Sequence, residues 1–204
     1  MGILHELCRK YDIEPIKEYI FSYNFNSNKL NEKDIYGYTP FHCACKRGNI
    51  NVVKLLISIA GFNSLNEKNN EGWTPFHWAC FKGHLDIVEL LISIDGFNSL
   101  NEKAKNETTP FHNACWCGNF DVVKLLISTD GFNSLNNRDI NGNTALCYAC
   151  RCGHIDVVEE LLKHKNIVVD DNIYCFDVVP TQIKNKIKYF IDSYKIINNN
   201  TIIH

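Results

Sequence analysis

A chain of 204 residues with 45% apolar residues can bury a sizeable core, and a formal net charge of −2 gives no reason to expect a nucleic-acid or membrane-surface partner. Met1 to Arg9 contain no basic-then-apolar leader, and no apolar run reaches membrane-spanning length, so a cytoplasmic protein is the simplest expectation. Ten cysteines without a leader argue for reduced thiols in a cytosol-like compartment. In chain order, Leu4, Leu7 and Cys8 predict a first short helix, and Pro15, Ile16, Tyr19 and Ile20 a second. Leu30-Asn-Glu-Lys33 then leads into a long periodic region.

That region repeats every 35 residues. Threonine falls at Thr39, Thr74, Thr109 and Thr144, cysteine at Cys45, Cys80, Cys115 and Cys150, and glycine at Gly48, Gly83, Gly118 and Gly153. Phe62-Asn-Ser-Leu-Asn-Glu-Lys68 recurs at Phe97 to Lys103 and more loosely at Phe132 to Arg138. Within one copy, the Thr74 hydroxyl suits a helix cap, Pro75 the first helical position and Gly83 the left-handed stop. Leu85, Ile87, Val88, Leu90 and Leu91 then predict a second amphipathic helix. Neither helix is long enough to stand alone, so each must bury its apolar face against the next copy. Asp86, Asp121 and Asp156, at the start of the second helices, suit the helix dipole. Asn166 to Val179 loses the signature. Pro180 to Tyr194, with Ile183, Ile187, Phe190 and Ile191 on one face, predicts a closing helix, and Lys195 to His204 a frayed tail.

Thr-Pro-Phe-His, one residue, Ala-Cys, then Gly-His or Gly-Asn and Val-Val-Lys-Leu-Leu resembles the ankyrin repeat, whose period is about 33 and whose signature is Thr-Pro-Leu-His-x-Ala. The resemblance is strong over residues 35 to 164 and weak at both ends. It implies an all-α solenoid of helix-turn-helix units joined by β-hairpin-like loops, about five repeats plus a C-terminal capping helix, in one domain over 1–204. The expected divisions are a capping repeat at 1–34, repeats at 35–69, 70–104, 105–139 and 140–172, and a degenerate cap and tail at 173–204. The two added residues around Gly61, Gly96 and Gly131 should lengthen the outer helix slightly and the loop behind it. Glu107 replaces the hairpin glycine of Gly37, Gly72 and Gly142, which predicts either a distorted hairpin or a left-handed Asn106.

The family places His42, His77 and His112 as structural partners of the capping threonines. Repeats stack about 10 Å apart, too far for equivalent histidines to share a metal or for equivalent cysteines to form a disulfide. Cys147, Cys150, Cys152 and His154 are close enough in sequence to raise a metal or redox sensor as an alternative. Nothing else resembles a nucleophile–base pair or a phosphate loop, so no catalysis and no cofactor are expected.

The resemblance assigns partner binding to the hairpin tips and the concave face, where the copies disagree. Those positions are Tyr36, Tyr38, Lys46, Arg47, Glu71, Trp73, Trp78, Phe81, Lys82, Asn106, Thr108, Asn113, Trp116, Asn141, Asn143 and Arg151. All three tryptophans are among them, and a buried aromatic anchor can contribute about 2–4 kcal/mol to binding. Trp78 is also a candidate for packing between repeats. The expected function is therefore capture of a protein partner by a monomer. Lys and Arg do not gather on one predicted face, which argues against nucleic acid. An adaptor that recruits a target to a ubiquitin-ligase or trafficking machine is the second reading. Ankyrin proteins of large DNA viruses and intracellular parasites resemble that scheme, but residues 170 to 204 suggest one short helix and no F-box-like tail.

Overall fold

The computed structural model of the chain describes residues 2–10, 12–169 and 179–200. Five helical pairs follow one another: α1 (Ile3–Cys8) with α2 (Glu14–Ile20), α3 (Pro40–Arg47) with α4 (Ile50–Ser58), α5 (Pro75–Lys82) with α6 (Leu85–Ile92), α7 (Pro110–Cys117) with α8 (Phe120–Ser128), and α9 (Ala145–Cys152) with α10 (Ile155–Leu162). A 3-10 turn over Ser27–Leu30 leaves the first pair, and α11 (Thr181–Asn200) closes the stack. No strand occurs among the described residues. The first helices of the pairs pack on one another more closely than the second helices do, so the inner row α1, α3, α5, α7 and α9 lies on the concave side.

Each inner helix is bounded by its own sequence. The Thr39 hydroxyl accepts from the His42 N–H, while His42 Nδ1 accepts from the Thr39 N–H at 3.1 Å, a reciprocal cap repeated at Thr74 with His77 and at Thr109 with His112. Because Nδ1 accepts, Nε2 carries the proton, and in His42 it donates to the Trp73 carbonyl at 3.0 Å, tying the cap to the next hairpin. His5 reaches the Tyr38 carbonyl in the same way at 2.8 Å. Gly48, Gly83, Gly118 and Gly153 end these helices at φ between +69 and +86. A residue from the following unit then covers the exposed carbonyls: His84 reaches Lys46, Asn119 reaches Cys80 and Phe81, and His154 reaches Trp116.

The core is one row of repeated contacts. Phe41, Phe76 and Phe111 are fully buried, and each meets the edge of a phenylalanine behind its own outer helix, Phe62, Phe97 or Phe132, with centroids 4.7–4.8 Å apart. Cys45, Cys80, Cys115 and Cys150 fill the small buried site behind them. The outer helices α4, α6, α8 and α10 are eight or nine residues long and the inner ones α3, α5, α7 and α9 eight, and the turn behind α4, α6 and α8 carries a left-handed glycine at Gly61, Gly96 or Gly131.

That turn carries a joint between units. Asn31 Nδ2 donates to the Gly61 carbonyl at 2.7 Å, and its Oδ1 accepts from the Asn63 N–H and the Ser64 hydroxyl at 3.0 and 2.8 Å. Asn66 repeats all three bonds to Gly96, Asn98 and Ser99, and Asn101 repeats them to Gly131, Asn133 and Ser134. Asn136 makes two, to Asn166 and Val168, because Val169 stands where the others have serine. Lys33 with Glu67 and Lys68 with Glu102 add ion pairs across the same joints.

Three expectations change. Glu107 itself takes the left-handed conformation at φ +64, the one such non-glycine among the described residues, and the hairpin closes normally through Glu107 N–H to Ala104 O at 3.0 Å. The closing helix does not fray at Lys195: α11 runs to Asn200, and residues 201–204 lie outside the described residues. It packs along α10, burying Ile187 and Ile191, and the Tyr194 hydroxyl donates to Ile167 O at 3.2 Å. It is also 20 residues long rather than short. Most of the stretch predicted to lose the signature, residues 170–178, lies outside the described residues.

Candidate functional site

The hairpin tips are built from side chains that fold the backbone onto itself. One Oδ1 of Asp34 accepts from the Tyr36 and Tyr38 N–H groups, both at 3.0 Å. Asn69 serves Glu71 and Trp73, and Asp139 serves Asn141 and Asn143. Ala104 has no such oxygen, and Asn106 substitutes by accepting from the Thr108 N–H and hydroxyl at 3.3 and 2.7 Å. Consecutive tips are joined through the backbone: Asn70 N–H to Tyr36 O, Lys105 N–H to Glu71 O and Ile140 N–H to Asn106 O, each at 3.0 Å. The tips therefore form a braced row.

Beneath the row, aromatic side chains collect from α5 and from the hairpin ends just before α3 and α5. Trp73 lies 4.6 Å from Trp78 between centroids and 5.5 Å from Phe81, and Tyr38 lies 5.9 Å from Trp78. The Lys46 ammonium sits 3.9 Å from the centre of the Trp78 ring. Burial against these rings, and then the Lys82 charge, lower the Lys46 pKa. A cavity of about 680 Å³ opens beside them, lined by Arg9, Tyr36, Tyr38, Cys43, Lys46, Arg47, Asn70, Glu71 and Lys82. A second of about 290 Å³, lined by Asn69, Trp73, Trp78 and Asn106, shares Tyr38 and Glu71 with it. The Trp78 indole N–H is buried and has no acceptor. Further along, Trp116 is 46% exposed and stacks on Tyr148 with centroids 5.1 Å apart, while the Tyr148 hydroxyl donates to Asp139 at 2.6 Å. Arg151 donates to Asn143, which is itself held by Asp139.

The structure thus divides the sixteen candidate residues. Tyr36, Lys46, Arg47, Glu71, Lys82, Asn106, Trp116 and Asn141 are exposed; Tyr38, Trp73, Trp78, Phe81, Asn143 and Arg151 are half-buried. Thr108 and Asn113 are each 1% exposed and drop out of the surface. Variation between copies is what selected them, but here it reflects local packing, with Thr108 committed to Asn106. Arg9 is an addition. It sits just after Cys8, as Lys46 sits just after Cys45, so aligning the first copy on its cysteine places it in the cavity wall. With it, four basic side chains do gather on one face, which the linear sequence conceals.

The histidines and cysteines serve packing. Burial pushes His42 down to about 4 and His77 down to about 3, holding both neutral as caps. Burial pushes the Cys45, Cys80 and Cys115 thiols well up. Cys147 and Cys150 are fully buried, Cys152 is exposed, and His154 is bonded to Trp116 O at 2.9 Å, so these four do not converge. Among the described residues no group of three or more His, Cys, Asp or Glu is placed to hold a metal, and no helix is long and apolar enough to cross a membrane.

A family model described as "Ankyrin repeats (3 copies)" matches residues 4–101 and 94–172. No curated protein matches the sequence.

Proposed function

The chain belongs to the ankyrin-repeat family, whose repeats are protein–protein interaction modules, and we propose that it binds its partner protein on the hairpin tips and inner-helix ends of the concave face, without catalysis and as a monomer. Residues 35–69, 70–104, 105–139 and 140–172 are the units of that scaffold, with 1–34 and 173–204 as its ends. One observation carries the reading: Tyr36, 64% exposed on the braced row of tips, and Trp116, 46% exposed on α7 with one face on Tyr148, each leave a large aromatic surface open among the described residues. Large aromatics left open on a rigid surface are the usual anchors of an interface. Nine described thiols, all free, fit a reducing compartment.

Trp73 packs within the aromatic cluster, so its removal would cost stability as well as binding. Tyr36→Ala with Trp116→Ala is the cleaner test. Quantitative affinity capture should lose at least about tenfold of the proteins held by the wild type, with only the small fall in melting midpoint that loss of the Trp116–Tyr148 stack brings. Undiminished recovery of those proteins would place the interface elsewhere.

A further inference from the structure

We propose that the larger cavity, between the hairpin of Tyr36 and that of Glu71, receives an acidic segment of the partner polypeptide. Its carboxylates would lie among Arg9, Lys46, Arg47 and Lys82, and a neighbouring aromatic or large aliphatic side chain would enter the slot beside Trp73 and Trp78. The inference rests on the concave-face reading and names the chemistry that face selects.

Charge is the first argument. The chain as a whole carries −2, yet four of the residues lining this cavity are cationic and only Glu71 is anionic. Asp34, just outside the lining, is already paired with Arg9 at 3.3 Å and its side chain is 2% exposed. The lysines just before the hairpins are, by contrast, paired with glutamates, Lys33 with Glu67 at 2.7 Å, Lys68 with Glu102 and Lys103 with Glu107, both at 2.6 Å. Lys46 and Lys82 make no ion pair among the described residues, and the Lys82 charge, after burial, lowers the Lys46 pKa. Like charges held together repel, and an anion between them relieves that repulsion. The positions one repeat beyond Phe81 and Lys82 are Trp116 and Cys117, so the cationic run does not continue into the fourth unit's inner helix.

Shape supplies the second argument. A cavity of about 680 Å³ adjoining a slot of about 290 Å³, with Tyr38 and Glu71 common to both, accepts two or three consecutive side chains of different character. The slot's walls are the Trp73 and Trp78 indoles and the Tyr38 phenol, with Asn69, Glu71 and Asn106 between them. A nucleic acid would instead require a basic stripe running along the molecule.

Selection of a random twelve-residue peptide display library on the wild-type protein tests this. The expected consensus places two or more Asp or Glu beside an aromatic or large aliphatic residue. A synthetic peptide of that consensus should bind at least tenfold more weakly to Arg47→Gln with Lys82→Gln, two exposed changes that remove the charge without placing a carboxylate at a helix C-terminus, with folding checked by the melting curve. It should also weaken severalfold between 50 and 300 mM NaCl, as exposed charge pairing predicts at about these ionic strengths. A neutral or basic consensus whose binding still depends on Tyr36 and Trp116 overturns the acidic partner and leaves the concave-face reading intact. Peptides indifferent to every one of these substitutions overturn both. Tighter binding of a random single-stranded oligonucleotide than of any selected peptide also overturns the proposal.

Discussion

Glu107 occupies a conformation that its three counterparts give to glycine, at φ +64 against +78, +79 and +79 for Gly37, Gly72 and Gly142. A side chain at Gly72 would press its Cβ to 2.8 Å from the Lys105 nitrogen, whereas a Cβ at Gly142 would meet nothing within 4 Å. A left-handed non-glycine residue costs about 1–2 kcal/mol. Its ion pair with Lys103 is half-exposed and offsets little of that. Glu107→Gly should therefore stabilise the protein by about 1 kcal/mol, read as a rise in the denaturant midpoint at constant slope; an unchanged or lower midpoint would show that the strain is absent. The sequence pointed to Asn106 because asparagine tolerates that region best. Asn106 is instead the oxygen that holds Thr108, a task vacated by Ala104, and a single side chain could not be assigned that role without seeing which partner was missing.

At the scale of the helix, capping and pH are linked. His42 and His77 are held neutral with pKa values of about 4 and 3, against about 6.5 in an unfolded chain, and burial lowers His112 in the same direction. Below pH 6.5 the unfolded chain therefore takes up protons that the native chain refuses. Stability is full above that pH and falls as the pH drops toward 4, by roughly 2 kcal/mol each for His42 and His77 at pH 5. The denaturant midpoint should decline steeply from pH 7 to 5, and His42→Gln, which keeps a capping side chain, should make the decline shallower; equal slopes would mean that the imidazoles are not the source. These helices were legible because threonine, proline and glycine act within a few residues of themselves. The length of α11 was not, since Lys195 to Asn200 offer little apolar periodicity and are carried on as helix beyond the part docked on α10.

Across the whole molecule, the 35-residue period is kept by joints as much as by helices. Asn66→Ala removes three bonds between units and leaves the fully buried Ser99 hydroxyl without its acceptor, which should cost about 2–3 kcal/mol. Asn136→Ala removes two bonds and strands no hydroxyl, so its loss should be smaller; equal losses in chemical denaturation would refute this account of the joint. The repeated Asn-Glu-Lys was plain in the sequence, but its bonding partners, about 30 residues away, were not. Nor was the basic cavity, since Arg9 lies outside the regular step and the lining as a whole comes from three different copies. Identical joints at Asn31, Asn66 and Asn101 carry an evolutionary corollary: a whole 35-residue block could be duplicated or excised there without redesigning either neighbour. Such an event after the third block would leave the cationic cup untouched and merely move the Trp116 stack one notch away, so a lineage could retune the distance between two grips by copying DNA, with no point mutation at all.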